Sequence, residues 1–469
     1  MGKCMSVLMT AAQIAQAVNG ELHGMEADTL IEGPVVIDSR QAIEGSVFVA
    51  IVGEKVDGHD YATATAGEVG TVLVIAQRPV DAPHILVDDC VLALGRLATV
   101  HLESLRANGE ITVLGMTGSV GKTTTKDLTR QLAEVLGNTV APRLSFNNEI
   151  GLPLTVLEAD ASTRYLVLEM GASGPGHIDE LTAIAPLDIA CVLMVGHAHM
   201  GGFGSIEAVA RAKAEIIDGL YPEGLAILNA DDERSVAMAD RAPASVVTFS
   251  ASGNPEATVR AINVALNERG CATFTLSCEE GQYPVELKFP GIHNVSNALA
   301  AMTMAMNLGM SAEQAAQVMS EATILSPHRM DVRELACGAL IVDDSYNANL
   351  DSMTASLACL PTLAGTRHKV VIASAMLELG ESSDDVHERC GKKAAEVGTD
   401  LLITIGNLAT PMSRAAREAG VEVLHYENVE QLLEQLDSLV EAGDCVLIKG
   451  SHGSGAWRVA DRLLQESVA

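Results

Sequence analysis

One stretch of the chain sets residues at a spacing that handles phosphate. Residues 111–137 read ITVLGMTGSVGKTTTKDLTRQLAEVLG. An apolar, β-branched run (Ile111–Leu114) enters a glycine-rich turn, Gly115-x-x-Gly118-x-x-Gly121-Lys122-Thr123, and leaves as an amphipathic helical pattern. Gly118 and Gly121 let backbone N–H groups from Ser119 and Val120 through to Thr124 close around phosphate oxygens, and the helix N-terminus adds partial positive charge. Lys122 is spaced to reach the β- and γ-phosphates, and the Thr123 hydroxyl to ligate Mg²⁺. The strict spacing wants glycine at position 116, where this chain has Met116. Strand, turn and helix are all present, so the run predicts a site for ATP or GTP.

Other residue types point the same way. Leu166-Val167-Leu168-Glu169-Met170-Gly171-Ala172 puts a carboxylate at a strand end facing the phosphate loop. A carboxylate and Mg²⁺ are a matched hard pair, the metal keeping several waters and phosphate oxygens. In Met194-Val195-Gly196-His197-Ala198-His199 the two histidines stand two apart on an extended segment and share a face, so both can ligate one metal. Ser39 and Arg40, in Asp38-Ser39-Arg40, offer a hydroxyl and a guanidinium fork that suit a pyrophosphate or uracil carbonyl. Read alone, Asn147-Asn148 is an ordinary loop and Lys213 a solvated helix charge.

The elements that must position these groups fall into three blocks. Residues 1–108 alternate short β-rich runs (34–37, 46–51, 71–75, 84–87) with small helical patterns and end in a helix over 91–108. Residues 109–325 repeat strand then helix, with strands at 111–114, 165–169, 189–195, 224–228 and 245–249. That alternation predicts a parallel sheet binding ligands at the carboxyl ends of its strands. An antiparallel addition follows at 262–266, 272–276 and 285–289, then a long helix over 291–308. Residues 326–469 begin again with strands at 339–343, 369–373, 401–405 and 445–449, a second doubly wound unit. The fold class is therefore α/β.

Composition narrows the partners. The 469 residues are 48% hydrophobic and only 3% aromatic, with a mean hydropathy of +0.24. That profile describes a globular α/β protein rather than a disordered one. Thirty Lys+Arg against 61 Asp+Glu give a formal charge of −31, which repels nucleic acid and anionic lipid, so neither is an expected partner. Nine scattered cysteines with no Cys-x-x-Cys suit reduced thiols and a cytoplasmic setting. No apolar stretch reaches the roughly 18 residues of a membrane span. Met1-Gly2-Lys3-Cys4-Met5-Ser6 fits the loose myristoylation pattern, with too few fixed positions to outweigh chance.

Taken in order, the motifs resemble those of the Mur ligases, the ATP-dependent amide-forming enzymes of peptidoglycan precursor synthesis. Asp38-Ser39-Arg40 and Asp57-Gly58-His59 look like the family's uridine-diphosphate-binding module. Asn147-Asn148-Glu149-Ile150-Gly151-Leu152-Pro153-Leu154 aligns with a segment lining the reaction centre. By the same resemblance Glu169 binds Mg²⁺ and His199 a second Mg²⁺. Lys213, in Ala210-Arg211-Ala212-Lys213-Ala214-Glu215, matches a lysine carbamylated by CO₂ that helps hold that second metal. Leu228-Asn229-Ala230-Asp231-Asp232 and Gly291-Ile292-His293-Asn294 with Asn297 resemble segments beside the adenine, and Arg329 matches a hinge arginine reaching the ATP phosphates. Asp343-Asp344-Ser345-Tyr346-Asn347-Ala348-Asn349 resembles the signature of the branch that takes D-alanyl-D-alanine. There Asp344 contacts the nucleotide, and Asn347 and Asn349 face the reaction centre. His387 and Lys449-Gly450-Ser451 fit later family positions. Leu350 stands where proline is usual, Ser374-Ala375 replaces a usual Gly-acid pair, and His452 an arginine.

The resemblance implies a three-domain architecture: a UDP-substrate-binding domain over 1–108, a central ATP-binding domain over 109–325 and a C-terminal Rossmann-like domain over 326–469. It implies that a terminal carboxylate of UDP-MurNAc-tripeptide attacks the ATP γ-phosphate and that D-alanyl-D-alanine then attacks the acyl phosphate. Lys122, Asn147, Asn148 and Arg329 carry that chemistry in a cytoplasmic monomer using ATP and Mg²⁺. A sister ligase such as MurE, or a folylpolyglutamate synthase, is the nearest rival, and the run at 344–349 argues against both. A P-loop regulator is the rival of a different class. No Asn/Thr-Lys-x-Asp base-reading motif supports a GTP switch.

Overall fold

The computed structural model describes residues 8–465 apart from 54, 71–72 and 198–199, so the N-terminal myristoylation pattern and His199 lie outside the described residues. Three α/β sheets follow one another along the chain, and a two-stranded antiparallel pair, Met9–Thr10 with Leu30–Ile31, lies in the N-terminal block. The central sheet has nine strands. Seven run parallel in the order Thr139–Val140, Tyr165–Glu169, Thr112–Thr117, Leu187–Val192, Leu220–Asn229, Ser245–Ser250 and Val259–Leu266. Cys271–Cys278 and Gly281–Pro290 complete it antiparallel, as expected for 272–276 and 285–289, whereas the strand containing 262–266 joins the sheet parallel to Ser245–Ser250.

Two-residue periodicity sorts the central strands between two apolar layers. Leu114, Met116, Val167, Ile189 and Cys191 pack with the helices Lys122–Leu136 and Asn294–Asn307 on one face. Val113, Leu166, Leu168, Ala190 and Val192 pack on the other with the helices Cys90–Asn108 and Ile206–Asp218. Each of the Val, Leu, Ile and Met side chains, fully buried, contributes about 1.5–3 kcal/mol. The helix that closes the first block thus shares a continuous core with the central sheet.

Sequence order reverses beside Thr112–Thr117: the chain passes to Tyr165–Glu169 on one side and then to Leu187–Val192 on the other. The crevice at the carboxyl end of that strand is a topological switch point, where α/β sheets bind ligands. One expected strand is displaced. Leu187–Val192 starts and stops earlier than the apolar run 189–195, because residues 193–195 leave the sheet to wrap the phosphate loop. Leu193 N–H donates to the Thr117 carbonyl (2.9 Å) and the Met194 carbonyl accepts from Ser119 N–H (3.0 Å).

The N-terminal sheet orders Glu21–His23, His84–Leu86, Leu73–Ala76, Val47–Val49 and Val35–Val36, parallel except for the first pairing. The C-terminal sheet orders Asp331–Glu334, Leu340–Asp344, Asp444–Lys449, His368–Ser374, Leu401–Ile405 and Glu422–Tyr426, again with only the first pairing antiparallel. Among the described residues no helix is long and apolar enough to cross a membrane.

Candidate active site

The phosphate loop ends in a helix, Lys122–Leu136, whose N-cap is Gly121 with no side-chain cap. Its first N–H groups are therefore left for an anion. Gly121 sits at φ 84°, and a Cβ there would lie 2.3 Å from Asn297 Oδ1, so both conformation and space demand glycine. Lys122 folds back along the loop and donates from Nζ to the Gly118 carbonyl at 2.8 Å. Burial pushes its ammonium below the usual lysine range; the Glu169 carboxylate opposes that push and the Arg329 guanidinium adds to it.

At the start of the helix, groups from four segments meet. Thr123 Oγ1 donates to Glu169 Oε2 at 2.9 Å and lies 2.7 Å from Ser145 Oγ. Asn147 Nδ2 donates to Glu169 Oε1 at 2.7 Å. Arg329 Nη2 reaches both Thr123 Oγ1 (3.2 Å) and Ser145 Oγ (3.3 Å), with its guanidinium 4.2 Å above the Tyr346 ring centroid. Arg329 Nε is buried without a hydrogen-bond partner among the described residues, which leaves a donor for an anionic ligand. Glu169, 1% exposed, is placed by pairing opposite Met116 on the neighbouring strand. Among the described residues no three His, Cys, Asp or Glu side chains gather on one point. One carboxylate with two hydroxyls is a hard-oxygen set that fits Mg²⁺ retaining waters and phosphate oxygens.

The C-terminal unit supplies the opposite wall. Asp344 and Lys449 end adjacent parallel strands in register, and Lys449 Nζ meets Asp344 Oδ2 at 2.5 Å. Ser356 Oγ donates to the same carboxylate oxygen (2.5 Å), and Lys449 Nζ also holds the Asn347 carbonyl (3.1 Å). Asn349 caps the helix Leu350–Ala364 and donates from Nδ2 to the Ser119 carbonyl at 3.2 Å, tying this unit to the phosphate loop. Asp351 accepts from His197 N–H at 2.7 Å.

A cavity of about 780 Å³ collects these groups. Ser119–Thr124, Asn147, Asn148 and Glu169 line it from one side, Asn294 and Asn297 from another, and Arg329, Asp344, Asn347 and Asn349 from the third. Gly118 lies just behind, its carbonyl held by Lys122. Several of these amides are already engaged. Asn294 Nδ2 donates to the Pro290 carbonyl (2.7 Å), Asn297 Nδ2 to Asn294 Oδ1 (2.8 Å), and Asn148 Oδ1 accepts from Gly151 N–H (2.9 Å).

Three expected residues stand apart from the cavity. Lys213 is 3% exposed on the helix Ile206–Asp218 and has no hydrogen bond or ion pair among the described residues. Burial, with Lys122's charge adding to it, pushes its amine well below the usual range. Ser39 and Arg40 form an exposed 3-10 turn in the N-terminal unit, where Arg40 Nη2 is held by Asp38 Oδ2 at 2.7 Å. Nearby, His59 donates from Nδ1 to Asp57 (2.6 Å) and accepts Gln77 N–H at Nε2 (2.9 Å). Hydrogen bonds from the His59 backbone and side chain, with Arg78 assisting, pull Asp57 down to about 2.

Ser145 and Tyr346 are the residues that sequence reasoning did not single out. Ser145 stands two positions before Asn147 on an extended loop, and Tyr346 lies inside the run already compared. Their spacing was visible, their convergence on Arg329 was not. The three departures are ordered contacts. Leu350 is buried, Ser374 Oγ bonds Ser454 Oγ (2.5 Å), and His452 stacks on Trp457 with centroids 5.6 Å apart.

Two family profiles match the chain, the Mur ligase middle domain over residues 116–305 and the Mur ligase glutamate ligase domain over 328–452. The UDP-N-acetylmuramoyl-tripeptide–D-alanyl-D-alanine ligase of Mycobacterium leprae is 38% identical, over 98% of this chain and 99% of its own length. A crystal structure of MurF from Acinetobacter baumannii superposes with a TM-score of 0.86 at 30% identity, covering 98% of this chain and 99% of that one. MurF ligase from Thermotoga maritima, in complex with ADP, gives 0.76 at 28% identity over 93% and 98%. Switch-point phosphate loop, converging arginine and near-complete alignment agree: the chain belongs to the Mur ligase family, in its MurF branch.

Proposed function

We propose that this chain is an ATP-dependent ligase that joins D-alanyl-D-alanine to UDP-N-acetylmuramoyl-tripeptide, forming UDP-MurNAc-pentapeptide for peptidoglycan synthesis. The observation that carries the reading is the meeting of Arg329 from the C-terminal side with Thr123 of the phosphate loop and its partner Glu169. A carboxylate is inert to amines at neutral pH and needs activation. The tripeptide carboxylate attacks the ATP γ-phosphorus and ADP departs, leaving an acyl phosphate. The dipeptide amine then attacks the acyl carbon, and phosphate leaves with the bridging oxygen.

This chain's contribution is positioning and charge neutralisation. The N–H groups of the phosphate loop cradle the phosphates, apart from that of Ser119, which the Met194 carbonyl already holds. Lys122 Nζ exchanges the Gly118 carbonyl for a phosphate oxygen, and Arg329 meets the charge that develops on the transferred group. Thr123 and Glu169 are the residues that would hold Mg²⁺, which supplies electrostatic stabilisation to the phosphates. His199 and a carbamylated Lys213 are the further proposed ligands. Burial lowers the pKa of this amine well below the usual lysine range and so favours the neutral form that reacts with CO₂, which supports that assignment for Lys213. The exposed Ser39–Arg40 turn is the proposed UDP contact, and the proposed domains divide near 108 and 325. ATP and a nucleotide-linked precursor as substrates favour a cytoplasmic setting.

Phosphate release measured with ATP and UDP-MurNAc-tripeptide, adding D-Ala-D-Ala, D-Ala or L-Lys in turn, tests the reading. Release with the dipeptide alone supports it. Release with a single amino acid moves the chain to a sister activity.

A further inference from the structure

The helix that begins at Lys122 carries a second, fully buried charged pair that the chemistry above does not use. Lys126 and Asp127 are each 1% exposed, and Lys126 Nζ lies 2.5 Å from Asp127 Oδ1. Adjacent helix positions do not normally face each other. Here both side chains turn toward two strands of irregular chain. Asp127 Oδ2 accepts the backbone N–H groups of Leu325 (3.2 Å) and Ser326 (2.8 Å). Lys126 Nζ donates to the Pro142 carbonyl (2.8 Å) and to Ser326 Oγ (3.3 Å). One turn on, Gln131 exchanges two hydrogen bonds with the backbone of Thr323 (2.8 and 3.0 Å).

The two clamped segments are those that carry Arg329 and Ser145. Three residues beyond each clamp, at Ser326 and Pro142, these side chains return to the same helix and meet at Thr123. His328 and Met330, flanking Arg329, sit at φ 60° and 51°, a conformation that needs its surroundings to hold it. We propose that Lys126 and Asp127 are positioning residues for the ligase reaction: the pair fixes both arms so that the Arg329 guanidinium and the Ser145 hydroxyl stand at the phosphate subsite. The proposal rests on the ligase reading.

The test is a double-mutant cycle of Asp127→Asn and Arg329→Ala on the full chain, followed by ligation rate and by thermal melting. Asp127→Asn alone is expected to lower kcat at least tenfold, with the KM for UDP-MurNAc-tripeptide changed less than twofold. In the Arg329→Ala background the same substitution is expected to cost under threefold, because its target is already gone. If Asp127→Asn melts below the assay temperature, Lys126→Met/Asp127→Leu replaces the pair by apolar side chains, a change buried pairs tolerate. That double variant is expected to stay folded at the assay temperature, to show the same kcat loss, and to add less than threefold once Arg329 and Ser145 are both replaced by alanine. Parent-like kcat in the variant that folds, or losses that multiply in these alanine backgrounds, overturn the proposal. An unmodified chain that makes no product overturns the ligase reading instead.

Discussion

Asp344 and Lys449 end neighbouring parallel strands at the same register and meet at 2.5 Å beside the cavity, buried on both sides. A charge left buried without its partner costs about 3–5 kcal/mol. Lys449→Met is therefore expected to lower the melting temperature of the C-terminal unit by several degrees. Calorimetry checks it, and melting within about 1 °C of the parent contradicts the pairing.

Lys122→Ala removes a charge at the transferring phosphate. The expected loss in turnover is about 10²–10³-fold with the fold intact. Steady-state kinetics with circular dichroism decide it; near-parental turnover is incompatible with the phosphate-loop role.

Gly121→Ala places a Cβ 2.3 Å from Asn297 Oδ1 at φ 84°. Strain of about 1–3 kcal/mol is expected, together with weaker nucleotide binding. Titration calorimetry with ADP should show at least a tenfold weaker Kd, and parental affinity would mean that the loop is not the binding element.

Glu169→Gln keeps an oxygen for Thr123 but removes the charge that fits Mg²⁺. The Mg²⁺ concentration for half-maximal rate is expected to rise at least fivefold. An unchanged Mg²⁺ dependence would remove Glu169 from the metal site.

His387 is fully buried, accepting Met376 N–H at Nε2 (3.0 Å) and donating from Nδ1 to the Ser383 carbonyl (2.7 Å). Burial pushes its pKa down, as it does for His101. The unfolded chain then binds more protons, so these groups stabilise the fold above the ordinary histidine value near 6.5 and that contribution is lost as pH falls below it. Between pH 6.5 and 5, melting should fall less steeply in His387→Gln than in the parent. Identical slopes would mean that His387 does not stay neutral.

The sheets were legible because apolar periodicity and glycine punctuation are local signals. The strands 165–169 and 401–405 lie where the pattern sets them, and the site residues at 119–124, 147–148, 169, 329, 344, 347 and 349 share one cavity. What was hidden is non-local. Glu422–Tyr426 lies at a sheet edge with none of its residues fully buried, so its short mixed sequence carries no clear strand pattern. Ser145 and Asp127 acquire meaning only when segments 184 and 199 residues apart in sequence close on one helix, and Tyr346 only when the Arg329 guanidinium lies over its ring. Amides such as Asn294 look free in a sequence, yet folding commits them to backbone carbonyls.

In the proposed reaction the tripeptide carboxylate is activated by ATP as an acyl phosphate in this cavity. UDP-MurNAc-tripeptide labelled with ¹⁸O in its terminal carboxylate, converted with D-alanyl-D-alanine and ATP, tests it by mass spectrometry of the released phosphate. One ¹⁸O atom is expected in phosphate for each pentapeptide formed. Phosphate free of ¹⁸O alongside pentapeptide would contradict it.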